Sequence, residues 1–304
     1  MSSRSRLRDL IAAPDLLILP GVYDAFSARI AERAGFPAIS AGGNASIGSM
    51  LAGADIGQSN MRDIADNFAR ICAAVDIPVS VDADSGFGTI HNVRQTIRAF
   101  ENAGVSGILL NDQVFPNRCH YLPGKQVVSR VEFISRIKAA LDVRRDEKLA
   151  IIARTDAVST DGWEEAIERC NLALEAGADF AKPQGIDTVD QLKEVVRLVP
   201  CPAISTWSQA AGPNGLDAAD YKAAGVSAVT LPTIAIFAAM RGLQDVFGEI
   251  RKTGSLTSAA GLLPQLGEYY DLVNLMGDEA LEQTYLDDAK IIVETAAQRI
   301  KIGA

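Results

Sequence analysis

The chain has 304 residues, 48% apolar and 22% charged, with a net charge of −9. That balance supports a large buried core and excludes wholesale disorder. Without a Lys/Arg cluster to follow a phosphate backbone, nucleic acid is disfavoured as a partner, and no apolar run reaches the roughly 18 residues needed to span a membrane.

From the N-terminus, Met1–Leu10 carries Arg4, Arg6 and Arg8 but lacks the apolar stretch of a secretory signal. Short apolar runs then predict eight strands, at Leu16–Gly21, Pro37–Gly42, Pro78–Asp84, Ser106–Asp112, Leu149–Asp156, Asp179–Gln184, Pro202–Trp207 and Val226–Pro232. Amphipathic helical patterns lie between them, at Met61–Val75, Val93–Ala103, Arg130–Leu141, Trp163–Glu175 and Val189–Leu198. An Ala-Gly pair precedes a strand at Gly35, Gly104, Gly177 and Gly225, where glycine can take the left-handed turn that ends a helix. Eight alternating units predict a single domain, a parallel (β/α)8 TIM barrel over about residues 15–250. An open, doubly wound sheet is the rival, disfavoured because no GxGxxG follows the first strand. Helical patterns at Ile234–Lys252 and Glu279–Lys301 exceed what a barrel needs. This C-terminal extension, about 251–304, is expected either to pack on a neighbouring subunit or to cap the barrel bottom.

Catalytic groups of a barrel stand at the C-terminal ends of its strands, and polar residues crowd that end here. The third run closes with Asp82-Ala83-Asp84-Ser85-Gly86. A strand's period of two puts both carboxylates on one face, where they repel unless one is protonated or a cation lies between them. Oxygen donors at this spacing suit Mg2+, with Mn2+ as a substitute. The plainer alternative is a pair of aspartates capping a βα turn. The fourth run ends Asn111-Asp112-Gln113 and leads into a Pro/Gly-rich loop long enough to act as a lid. That loop sets Arg118, Cys119 and His120 side by side. Cys119 beside a guanidinium is a candidate acid/base, against the usual fate of a single cysteine as a buried structural thiol. His120 has no His or Cys at metal spacing, and His91 carries no signal. Arg154, near the end of the fifth run, is a clamp for a substrate carboxylate or an ion-pair partner of Asp82, Asp84 or Asp112. Lys182, in the sixth, is a candidate Schiff-base amine or a merely snorkelling side chain. Cys72, Cys170 and Cys201 are scattered and, with Cys119, are expected to be reduced thiols of a cytoplasmic protein. No Ser-His-Asp pattern, P-loop or GxSxG element is visible.

Taken jointly, Tyr23-Asp24-Ala25, Ser40-Ala41-Gly42-Gly43, Asp55, Asp82-Ala83-Asp84-Ser85-Gly86-Phe87-Gly88, Asp112-Gln113, Arg118-Cys119, Pro123-Gly124-Lys125 and the stretch around Arg154 resemble the isocitrate lyase/phosphoenolpyruvate mutase superfamily. Within it they are most similar to the short 2-methylisocitrate and 2,3-dimethylmalate lyases, from about Pro20 to beyond Pro232. The resemblance implies Mg2+-dependent cleavage of a C–C bond in a 2-hydroxy di- or tricarboxylate. The products would be a 2-oxo acid and a second carboxylate, by way of an enolate-like fragment. Asp82 and Asp84 would hold the metal, with Asp55 acting through its waters. Cys119, flanked by Arg118, would protonate the carbanion. Arg154 and the Ser40–Gly42 backbone would hold carboxylates, with Tyr23, Ala41, Asn111 and Gln184 completing the substrate site. The family forms tetramers with exchanged C-terminal helices, so a homo-oligomer is expected.

The departures are as specific. The lyase lid usually reads Lys-Arg-Cys-Gly-His, and this chain has Asn117-Arg118-Cys119-His120-Tyr121. Asn111 and Gln184 stand where the family has glutamates. The site is thereby roughly one unit more positive, and the expectation is a shifted substrate, with His120 supplying acid/base function. An oxaloacetate-type hydrolase or decarboxylase, a phosphonate-processing relative, a Schiff-base aldolase using Lys182, and a barrel that binds a carboxylate without turnover stay open beside the lyase.

Overall fold

The computed structural model describes residues 3–208 and 215–302, excepting the side chains of 299–302. All eight predicted strands form, each within about two residues of its expected bounds. They are β1 (Leu17–Val22), β2 (Ile39–Ala41), β3 (Val79–Asp82), β4 (Gly107–Asn111), β5 (Ala150–Thr155), β6 (Phe180–Pro183), β7 (Ile204–Thr206) and β8 (Ala228–Leu231). Every ladder is parallel, in the order β6-β5-β4-β3-β2-β1-β8-β7. This is the (β/α)8 barrel, closed except for one seam. Among the described residues no ladder joins β6 to β7. Side chains bridge the gap instead: Lys182 Nζ donates to Thr206 Oγ1 (2.5 Å), and the Ala181 N–H donates to Cys201 Sγ (3.4 Å).

The helices are α1 (Ser3–Ala12), α2 (Ala25–Arg33), α3 (Gly43–Leu51), α4 (Met61–Ala74), α5 (Ile90–Asn102), α6 (Arg130–Val143), α7 (Trp163–Glu175), α8 (Val189–Leu198), α9 (Ala218–Ala223), α10 (Ile234–Thr253), α11 (Leu256–Ala259), α12 (Leu266–Leu272) and α13 (Leu275–Ile302). Sequence patterning anticipated the longer ones. It missed α1, and with it the closure of the barrel floor. Leu7 and Ile11, one turn apart, join the innermost apolar cluster, while Arg4 and Arg8 donate to Val105 O and Lys148 O at the N-terminal ends of β4 and β5.

Strand alternation explains what faces the barrel axis. Leu17 and Leu19 of β1, Leu109 of β4, Ile152 of β5, Phe180 of β6 and Ile204 of β7 belong to the inner cluster; Val22, Val81, Ile108, Leu110 and Ile151 pack outward against the helices. Two residues beyond an inner position the side chain again points inward, now at the C-terminal rim. That rim layer is Asp82, Asn111, Arg154, Lys182 and Thr206, joined by Ser40 and Thr230.

The chain divides into two compact units, Met1–Ala239 and Met240–Ala304, the cut falling within α10. All eight strands belong to the first. The second is helical, with α12 packed on α13. Among the described residues no helix is long and apolar enough to cross a membrane.

Candidate active site

The rim layer lines a cavity of about 850 Å³, part of it open to solvent. Asp55, Asp82 and Asp84 meet there. Asp82 ends β3, and its Oδ1 accepts from the Asp84 N–H at 2.9 Å. Asp84 reaches the cavity by a different route from the one its spacing suggested. The strand has already ended, and Asp84 adopts a left-handed backbone (φ 51°) that turns its carboxylate inward. Such a conformation costs a non-glycine residue on the order of 1–3 kcal/mol and persists where the surroundings enforce it. Gly43 makes the room, since a Cβ there would stand 3.3 Å from Asp84 Oδ2. Burial, then the charges of Asp82 and Asp55, hold the Asp84 carboxyl well above the usual carboxylate range, with Arg154 and a hydrogen bond from Asn117 opposing. Asp55 is pushed up to about 6 by burial and by Asp82, and its Oδ1 is buried without a hydrogen-bond partner. Three crowded carboxylates with an unanswered oxygen fit a hard divalent cation. Among the described residues no ready-made cage of three His, Cys, Asp or Glu ligands is formed. The set therefore suits an ion that keeps several of its waters, as Mg2+ does.

Arg154 stands beside this group, with Nη1 3.2 Å from Asp82 Oδ2. Its other edge meets Asp156, Nε to Oδ2 at 2.9 Å and Nη2 to Oδ1 at 3.1 Å. Of the three ion-pair partners expected from sequence only Asp82 is used. Asp112 pairs instead with Arg169 of α7 (3.1 Å) and accepts from Thr155 Oγ1 and the Asp156 N–H. Asp156 also stands 2.8 Å from His120 Nδ1. Burial alone would raise the Asp156 carboxyl, but Arg154 and His120 hold it well below the usual range. The lid histidine is thus an oriented member of a His–Asp pair.

The lid itself is braced at both ends. Gln113 accepts from the Arg118 N–H (3.0 Å) and donates to Arg118 O (3.1 Å), and the Val114 N–H donates to Gln126 O (2.9 Å). The Cys119 N–H donates to Asp55 O, tying the lid to the carboxylate cluster (2.9 Å). Cys119 Sγ accepts from Asn44 Nδ2 at 3.1 Å. The other thiols play no such part: Cys72 is pushed up to about 12 by burial, and burial likewise raises Cys170 and Cys201.

Ser40, Ala41, Gly42, Asn111 and Gln184 line the same cavity. The Ser40 hydroxyl is spent on Leu19 O (3.3 Å), which leaves backbone for recognition. Gly42 is the N-cap of α3 and offers no side-chain cap, and residues 42–45 line the cavity, so a helix N-terminus, which favours anions, borders it. Tyr23 alone of the expected set is not in the cavity wall; it lies between β1 and the Asp24 cap of α2, its N–H donating to Ser27 Oγ. Sequence reasoning missed Asn44 and Asp156 as members of the site and Gln113 as its brace. Asp156 carried a usable signal, two residues beyond an inward Arg. Asn44 carried none, because its role depends on where the lid falls.

The family model described as phosphoenolpyruvate phosphomutase matches residues 7–251. The 2-methylisocitrate lyase of Aeropyrum pernix is 36% identical over 267 residues, covering 88% of this chain and 86% of that protein. The 2,3-dimethylmalate lyase of Eubacterium barkeri is 30% identical over 285 residues, covering 94% and 99%. Among solved structures, an oxaloacetate acetylhydrolase in complex with the inhibitor 3,3-difluorooxalacetate superposes with a TM-score of 0.87 at 29% identity, covering 93% of this chain and 97% of that one. A phosphonopyruvate hydrolase complex with oxalate and Mg++ gives 0.84 at 29% identity, covering 94% and 100%.

Proposed function

From the premise that the chain belongs to the phosphoenolpyruvate mutase/isocitrate lyase superfamily of enzymes, we propose that it is a carbon–carbon lyase acting on a 2-hydroxy di- or tricarboxylate of the methylisocitrate or dimethylmalate kind. The observation that carries this reading is one cavity shared by the Asp55/Asp82/Asp84 cluster and the Cys119 thiol. Mg2+, held by Asp82 and Asp84 with Asp55 acting through water, would stabilise negative charge on the substrate's 2-oxygen.

The chain's own residues supply the rest. The N-terminus of α3 and the adjacent Ser40–Gly42 backbone receive a substrate carboxylate. As the C–C bond breaks, the hydroxyl-bearing carbon becomes a ketone and its partner carbon keeps the electron pair. Cys119, its sulfur steadied by Asn44, gives that carbon a proton; His120, oriented by Asp156, takes up the hydroxyl proton released as the ketone forms and returns it to the thiolate. Arg154 keeps its positive charge through Asp156 and Asp82, although burial works against it, and so offsets the carboxylate cluster. The lid, pinned to Asp55, excludes water from the carbanion. We also take the protein to be a homo-oligomer, tetrameric by analogy with the family.

Calorimetric titration of Mg2+ into metal-stripped protein, with and without pyruvate or oxalate, tests the reading. Binding that the oxo acid strengthens and Asp82→Asn abolishes supports it and justifies a screen of 2-hydroxy acids. No binding at roughly millimolar metal would sink it. Likeness to the oxaloacetate acetylhydrolase favours a second reading, hydrolysis of an oxaloacetate-like acid. Release of oxalate from oxaloacetate, without cleavage of any 2-hydroxy acid, would put that reading first.

A further inference from the structure

Three cationic side chains other than histidine line the cavity, and they differ in how far their charge is already answered. Arg154 is paired twice, and its Nε/Nη2 edge already faces Asp156, with one hydrogen bond from Nη2 and Nε at ion-pair distance. Arg118 lies in the exposed lid and donates to Pro123 O, at the mouth. Lys182 is 2% exposed and sits on the inward face of β6, one inward position beyond Phe180 of the inner core.

Its surroundings have a consistent polarity. Lys182 Nζ donates to Thr206 Oγ1 (2.5 Å), and that hydroxyl donates in turn to Gln184 Oε1 (3.1 Å). The remaining hydrogens of the ammonium and the amide N–H groups of Gln184 have no partner among the described residues. Nor does any carboxylate among those described residues stand within ion-pair distance of Nζ. This part of the wall offers donors and lacks an acceptor. An ammonium buried without an anion is costly, and burial followed by the charge of Arg154 lowers Lys182 to about 7, against the pull of Asp82 and Asp156. A side chain held in that condition is completed by an incoming anion.

We propose that Lys182, Thr206 and Gln184 form a carboxylate subsite deep in the cavity, which selects substrates bearing a second or third carboxylate over monocarboxylates. The inference rests on the lyase reading for its substrate class, but the subsite itself is argued from these three residues. It assigns Lys182 a recognition role and leaves it uncombined with substrate. The competing covalent role would have the neutral amine attack a carbonyl carbon, form a C=N bond and release water.

The test compares wild-type protein with Lys182→Met, which keeps the stem and removes the charge, by calorimetry against pyruvate, oxaloacetate and succinate. The expected result is a loss of roughly tenfold or more in affinity for the two dicarboxylates, with pyruvate changed by less than about twofold. Because Lys182→Met also removes a bridge across the β6–β7 seam, a second measurement uses wild-type protein alone. Succinate should protect Lys182 from acylation, read by peptide mass spectrometry, and pyruvate should not. Equal losses for all three ligands, or no protection, would overturn the subsite. A borohydride-trapped adduct of pyruvate on Lys182 would overturn it in favour of the covalent role. Wild-type protein that binds none of the three acids would bring down the lyase reading as well, whereas unaltered selectivity in Lys182→Met brings down this inference alone.

Discussion

His120 has no partner in the sequence, yet in the fold it faces a carboxylate that is fully buried and doubly charge-compensated. A histidine so held has one ring nitrogen committed and the other free for proton transfer. Replacing His120 with Ala should lower turnover by about a hundredfold, and unchanged turnover would remove it from the mechanism. Asp156→Asn should cost both kcat and KM, since the same carboxylate orients His120 and anchors Arg154. The contrast between these residues shows what a sequence can disclose about a site. Asp82, Asn111, Arg154 and Lys182 were legible because a strand's alternation fixes their direction once the inner residues are known. Asp84 was legible for a reason that does not hold, since a left-handed turn and not the strand delivers it. Asn44 and the Asp156–His120 contact were invisible, because a contact between loops depends on their paths and not on any period.

At the scale of elements, the lid is the piece most dependent on a single side chain. Gln113 uses both ends of its amide on the backbone of Arg118, the residue that precedes Cys119. Gln113→Leu should release residues 114–126. The expected signature is faster proteolysis within the lid and a lower kcat/KM, while the barrel's melting temperature falls little. Resistance to proteolysis equal to wild type would show that the Val114–Gln126 and Cys119–Asp55 backbone bonds suffice. The helices that patterning missed share a physical cause. Helix α1 buries only Leu7 and Ile11, too few for a periodic signal, and α3 opens with glycine because Asp84 needs the space. Such elements are specified by what they fit against.

For the whole molecule, the crowded carboxylates make stability depend on pH and metal together. The folded-state value of Asp55 is raised from 3.8 to about 6, so the metal-free fold favours its protonated form. That contribution is complete below about pH 3.8 and is lost as pH rises through about 6; Asp84 acts in the same direction. Metal-stripped protein should therefore lose stability across this window. Added Mg2+ should raise the melting temperature more at about pH 7.5 than at about pH 5, where protons compete for the same oxygens. An equal gain at both values would place the ion elsewhere. The helical unit bears on assembly: Leu281, Tyr285, Leu286, Ile291 and Val293 of α13 are all exposed, more apolar surface along one helix than a monomer usually leaves wet. Light scattering should report a tetramer, and a monomer would count against the proposed assembly.

The seam between β6 and β7 gives the barrel a mechanical property that a fully laddered wall lacks. Where other neighbouring strands must break a row of main-chain bonds to part, these two are held by a lysine, a threonine and a cysteine sulfur. That line should therefore be where the wall opens most readily, and amide hydrogen exchange in β6 and β7 should be the fastest in the sheet. Two of the groups that close the seam belong to the proposed subsite, so an anion seated there would act as a rivet. Occupancy of the cavity would then be felt as stiffness of the wall, coupling what the enzyme holds to how tightly its barrel is shut.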